Sequence, residues 1–333
     1  MKRSIISLLS LLPLSFAACG GSDSADCTPG AGANKAQYVT NAVMVPQQRQ
    51  DYAIDLNGDG RVDNQLGNII GALTGQGLNV QTGVDMAVAG GTLIMLMSET
   101  SSDSAYQNDS CASSTVQAGM NMSMPDYSGM GHFALDSNQT GGTFAGPLKS
   151  GKFSSAPPPT TTKPVTVTVL LPLVAGATPV VMKLNGAHLQ YTRGADGKIT
   201  GGQLNGAIKS TDVQMSIVPS VASVLTNKLQ HDMPQTSTDT QIANLFDTGG
   251  TADASCPAGC KNPSYGDRPG MCAAKGDAIV DTCEVSTNNL IKNLLGADVQ
   301  MFDAAGNYAP NKDNTTKDSL SLGLAFTAVG ASF

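Results

Sequence analysis

The chain contains no tryptophan, and aromatic residues make up only 5% of its 333 positions. Clefts that hold sugars usually present flat aromatic rings to the ligand, so this scarcity weighs against a carbohydrate-directed hydrolase. Charge is sparse as well. Charged side chains account for 14% of residues, and 26 acids against 19 Lys and Arg leave a formal charge of −7. Nucleic acid requires clustered cations to displace the counterions of its phosphates, which argues against it as a partner for so acidic a chain. Only three histidines, His132, His188 and His231, offer an imidazole base. The Gly-x-Ser-x-Gly elbow, the His-Glu-x-x-His helix and the Gly-Lys-Ser/Thr phosphate loop are all missing. The expectation is therefore a protein that is not an enzyme. A carbohydrate- or peptide-directed hydrolase ranks third among the readings, because paired carboxylates carry no local motif.

Long apolar runs are also missing, except at the start. Lys2 and Arg3 precede an apolar stretch through Ile5, Leu8, Leu11 and Leu14, followed by small residues up to Cys19. This pattern reads as a signal peptide over 1–18. Leu14-Ser15-Phe16-Ala17-Ala18-Cys19 resembles a bacterial lipobox, with Phe16 where that motif prefers Leu. The resemblance implies a lipidated Cys19, a flexible tether over 19–35 and, with Gly20 beside the anchor, the outer membrane on its periplasmic or cell-surface face. Ordinary secretion is the plainer alternative. With Cys19 assigned to lipid (palmitate among its acyl groups), six cysteines remain: Cys27, Cys111, Cys256, Cys260, Cys272 and Cys283. An even number in an oxidising compartment reads as disulfides. Four of the six lie within 256–283, which leaves Cys27 and Cys111 as a natural pair; the pairing inside the cluster stays open. A zinc site at Cys256 and Cys260 with Cys272 and Cys283 is the competing reading.

One stretch spells out a chemistry. Asp55, Asn57, Asp59 and Asp63 place oxygen-bearing side chains at relative positions 1, 3, 5 and 9, Gly60 stands at 6, and Arg61 at 7 can offer its carbonyl. This is the ligand rhythm of a Ca(II) loop. It resembles the EF-hand loop and the dockerin and thrombospondin type 3 repeats, departing from the EF-hand at position 12, where Leu66 replaces the bidentate Glu. Next, Leu66, Ile69, Ile70 and Leu73 give one apolar helix face behind a potential cap at Asn64. The plainer reading is a solvated Asp/Asn/Gly turn. A weaker second loop is expected from Asp277, Asp281 and Glu284 at positions 5, 9 and 12, with Asp247 as a displaced first ligand. Its plainer reading is an acidic helix N-terminus.

The remaining pattern indicates an α+β fold. Strands are expected at 92–98, 114–124, 131–136, 142–148, 164–173, 180–193, 198–209 and 320–326, with a hairpin at 194–197. Helices are expected at 64–90, from Ser210 with a start or kink at Pro219, at 239–246, and around 290–295. Together these predict one extracytoplasmic domain over 36–333. Its architecture is a mainly antiparallel β-sandwich or barrel with helices packed at both ends and a Cys-rich, disulfide-stapled insert over 248–283. Met120, Met122 and Met124, followed by Met130 and His132, would line one strand face and resemble the Met motifs of periplasmic copper carriers; packing in the core is the plainer role. A terminal Phe333 after an alternating strand is similar to the closing strand of outer-membrane barrels, a reading set aside on composition. The functional expectation is a non-enzymatic, calcium-stabilised surface lipoprotein, bound to outer-membrane lipid through Cys19 and to an unknown surface ligand. The alternative is a Cu(I)-binding lipoprotein of the periplasm.

Overall fold

The computed structural model describes residues 33–75, 79–156, 164–173, 179–231, 243–248, 260–262, 266–268 and 278–333. The expected signal peptide, Cys19, Cys27, Cys256, Cys272 and Asp277 lie outside the described residues, as does most of the insert. The strands are β1 (Asn34–Met44), β2 (Met95–Ser101), β3 (Asn108–Ala118), β4 (Gly131–His132), β5 (Gly142–Lys149) and β6 (Lys152–Ser154), then β7 (Val165–Leu171), β8 (Val180–Arg193), β9 (Ile199–Lys209), β10 (Cys260–Asn262), β11 (Gly266–Arg268) and β12 (Ser319–Ser332). The helices are α1 (Gln65–Gly75), α2 (Val80–Ala89), α3 (Ser210–Asp212), α4 (Val218–His231), α5 (Thr282–Thr287) and α6 (Asn289–Leu294).

The main sheet runs β1-β2-β3-β5-β6-β8-β9-β12, and β12 pairs back onto β1, so the sheet closes into a ring. Every pairing around the ring is antiparallel, while β4 adds a short parallel pairing to the end of β12. Of the two β architectures the pattern allowed, the closed one is found. β7 hangs only on the first half of β8, and β6 holds the second half. Period-two alternation sends Met97, Val116, Phe144, Leu189, Leu204, Leu324 and Phe326 into the core. On the hairpin 180–209, Asn185 sits opposite Ala207, so the two Leu-Asn-Gly-Ala fragments lie on neighbouring strands.

Helices that join the main core cluster, and two coverings on the outside of the ring, complete the molecule. α1 lies against β12 and α2 against β1, as their single apolar faces require. The segment 119–135 straps over the outside of β1, β2 and β12, where Phe133 joins Val39, Ile94, Leu96 and Val329. Leu56, Val299 and Met301 cover Ala207 on the outer face of β9. Ahead of α4, Val213–Ile217 forms a π-helical turn. Pro219 has no N–H to donate, and the wider turn accommodates it without ending the helix. Cys111 and Cys283 are each disulfide-bonded; no disulfide has both ends among the described residues.

Two expectations need correction. The strand expected over 114–124 ends at Ala118, because Gly119 bridges to Leu135 and the chain leaves the ring as the strap. Met120, Met122 and Met124 therefore do not line one strand face. Met122 packs against the apolar cluster under the strap, whereas Met120, Met124 and Met130 point outward at 56%, 88% and 78% exposure. The first strand, β1, begins two residues inside the expected 19–35 tether and otherwise lies in the expected domain, in a stretch where no strand was expected.

Candidate functional site

Loop 55–63 is anchored by Leu56, which is fully buried against the outer face of the ring. The side chains around it fold the loop on its own amides. Asp55 accepts from Gly58 N at 2.7 Å and Gly60 N at 2.9 Å, Asn57 from Asp59 N at 3.2 Å, and Asp59 from Arg61 N at 2.8 Å. Gly58 and Gly60 adopt φ of 82° and 83°, the left-handed region that glycine enters at no steric cost. Asp63 closes the loop: its N–H donates to Ile54 O and its carboxylate accepts from Leu56 N at 3.1 Å. Asn57 is also buried, and its Nδ2 has no hydrogen-bond partner among the described residues.

The loop is joined to the ring through a buried polar seam. Asn64 donates to Gly323 O at 3.0 Å and accepts from Gly323 N at 3.0 Å, so its amide imitates one rung of a β-ladder on β12. Gln65 N, at the start of α1, donates to Ser321 Oγ, which in turn donates to Asp298 at 2.6 Å. Arg49 stands 3.4 Å from Asp63 and 3.7 Å from Asp298. One guanidinium thus serves two buried carboxylates. Burial, reinforced by the charges of Asp298 and Asp59, pushes the Asp63 carboxyl up to about 7 against the pull of Leu56 N–H and Arg49. Burial likewise raises Asp298, although Ser321 and Arg49 oppose it.

The second loop repeats one feature of the first across a long excursion of chain. Asp247 accepts from Ala278 N at 2.8 Å, and Ala278 has φ of 59°. With Val280 at position 8, this is again a bond from a position-1 carboxylate to the N–H of a left-handed position 6. Asp281 then caps α5, accepting from Cys283 N and Glu284 N, while Glu284 accepts from Asp281 N at 3.0 Å. Asp281 and Glu284 thus form a capping box, the helix N-terminus that was the plainer reading. The helices that follow the two loops meet: Gln65 at the start of α1 donates through Nε2 to Leu294 O at the end of α6. The donor set in both loops is all oxygen, which suits Ca(II). Among the described residues, no group of three or more His, Cys, Asp or Glu is drawn together closely enough to hold a metal ion, since the first loop's carboxylates point to their own backbone.

Sequence reasoning missed a third polar region, inside the ring. Glu99 on β2 is fully buried; Tyr38 donates to it at 3.1 Å, and Arg193 sits 3.3 Å away with its guanidinium 4.1 Å from the Tyr106 ring. Burial raises the Glu99 carboxyl, and the neighbouring phenols and Arg193 oppose the rise. The available signal was an acid at the inward position two residues after Met97, in line with the apolar residues of the same strand face. Elsewhere, Ser155 Oγ and His188 Nδ1 lie 2.9 Å apart, yet both residues are buried and Ser155 also accepts from Leu189 N. The geometry is that of a structural contact inside the sheet. No family model matches this sequence, and neither a curated protein nor a solved structure does.

Proposed function

We propose that this chain is a non-enzymatic lipoprotein of the bacterial outer membrane, anchored through Cys19 and stabilised by Ca(II), with a binding or structural role at the envelope surface. The observation that carries the calcium reading is the bond repeated in the two loops, from a position-1 carboxylate to the N–H of a left-handed position 6. In this reading Asp55, Asn57, Asp59, Asp63 and the Arg61 carbonyl hold one cation. A weaker second site would draw on Asp247, Asp281 and Glu284, together with Asp277. The cation would supply countercharge to Asp55 and Asp59, adding to what Arg49 gives Asp63.

Thermal unfolding of the mature chain carrying Cys19→Ser tests the proposal in EDTA and in excess Ca(II). Binding to the folded state alone adds about 2.7 kcal/mol at a hundredfold excess over Kd. The expected result is a rise in midpoint of several degrees that Asp59→Ala abolishes; an unchanged midpoint removes the calcium reading. The anchor is tested separately by membrane fractionation of the wild type against Cys19→Ser. The Cu(I) alternative is favoured by the exposure of Met120 and Met124 in the same strap as His132, with Met122 turned inward. A Cu(I) titration of the same protein distinguishes the two.

A further inference from the structure

The interior of the ring is not filled from end to end. A cavity lies where β2 begins and β3 ends, bounded by Val43, Met95, Ala118, Val169, Leu204 and Phe326. Its lining is aliphatic or aromatic throughout, except for Thr168 at one side. The empty space is about 460 Å³ with the open solvent at its mouth included, and about 30 Å³ of it is open to the centres of water-sized molecules. That is room for about two waters, but waters need two to four polar partners, and this lining offers almost none. The Glu99 cluster is too distant to help: Met95 and Glu99 are four residues apart along β2, about 13 Å.

The topology gives the cavity a route of entry. Between β7 and the neighbouring β5, the ring carries no strand pairing, and Thr168 N to Thr140 O, at 3.0 Å, crosses that seam. The cavity straddles it, with Ala118 on the β3 side and Thr168–Leu170 on the β7 side. Met95 is half-buried at the same place, and an unbranched thioether is a wall that can re-pack around a guest. We infer that this cavity is a binding site for a narrow, unbranched aliphatic chain, entering between β7 and the β3–β5 side. A charged head group stays outside, since no charged residue lines the cavity itself. The inference is independent of the cation loops, which lie on the outer face of the ring.

Straight-chain primary alcohols from butanol to decanol are the probes, titrated calorimetrically into the intact mature protein in EDTA. Affinity should rise about fourfold per added methylene, the worth of burying one CH₂, and level off once the cavity is full. Ala118→Phe fills the space and should weaken binding at least tenfold. If that variant fails to fold, Val169→Ala enlarges the same cavity and should move the levelling-off to a longer alcohol. Absence of saturable binding in the wild type overturns the inference. So does a chain-length profile that neither variant changes, which would place any binding elsewhere on the protein.

Discussion

Replacing Asp63 by Asn tests the reasoning about the buried seam most severely. The Asp63 carboxyl rises from an ordinary 3.8 to about 7. A group that holds its proton more tightly when folded adds stability below its unfolded value, and that stability is lost as the pH climbs through the folded one. Over the window from about pH 4 to 7, the full shift is worth about 4 kcal/mol. Relaxation around the carboxylate and water reaching it once it ionises reduce the change to about 2–3 kcal/mol. The substituted amide carries no charge at any pH and can still accept from Leu56 N, but its new N–H group needs a partner and costs about 1–3 kcal/mol if none is found. Urea unfolding of both proteins in EDTA should therefore show the variant weaker than the wild type at pH 4 and gaining on it by about 2–3 kcal/mol by pH 8. In saturating Ca(II) at pH 8 the wild type should be the more stable of the two, because it has a carboxylate ligand for the cation that the variant lacks. A difference between the two proteins that stays constant from pH 4 to pH 8 would refute the account of Asp63.

Arg193→Ala strips the countercharge from fully buried Glu99 and should cost about 3–5 kcal/mol at pH 8. The cost should shrink towards pH 5 as the raised Glu99 carboxyl takes up its proton, which chemical unfolding at the two pH values will show. Gly323→Ala would place a methyl 2.2 Å from Tyr52 O and 2.5 Å from Asn205 Nδ2. Backbone cannot yield there as a flexible side chain would, so a loss of at least about 1–3 kcal/mol is expected in the urea midpoint. Asp281→Ala removes the capping box of α5 and should cost about 0.5–2 kcal/mol, read from amide exchange in Thr282–Thr287.

Elements governed by local rules were legible in the sequence. The hairpin strands Val180–Arg193 and Ile199–Lys209 fall within a residue of expectation, because alternation and a Gly-Ala-Asp-Gly turn specify register without outside help. α1 and α2 follow from their apolar faces. β1 was not legible: Asn34–Met44 begins with polar residues, and what makes it a strand is the pair of partners β2 and β12, one of them at the far end of the chain. The methionine segment failed for a related reason, since alternation continues past Ala118 although the chain has left the ring. At the candidate loops, the sequence named Asp55 through Asp63 and proposed Asp247 as a displaced member of the second loop. Arg49, Asp298 and Ser321, which tie the first loop to β12, carry no spacing that would link them to it; Asp298 sits in an acid-rich stretch with Asp303, Asp313 and Asp318 too irregular to mark a site.

The pairing of β1 with β12 has a consequence for how the molecule comes into being. Gln37 on β1 donates to the carbonyl of Phe333 at 2.8 Å, so the first and last strands end side by side. A chain made amino end first would hold an open sheet with two unsatisfied edges until the fourteen residues of β12 arrive. Ring closure is thus deferred until β12 is present, and the open edges are most exposed to wrong pairing just before it. The same adjacency means that a short linker from Phe333 to Asn34, with new ends opened in the exposed turn at 194–197, should give a circularly permuted protein that folds. Its seam would close early instead of last.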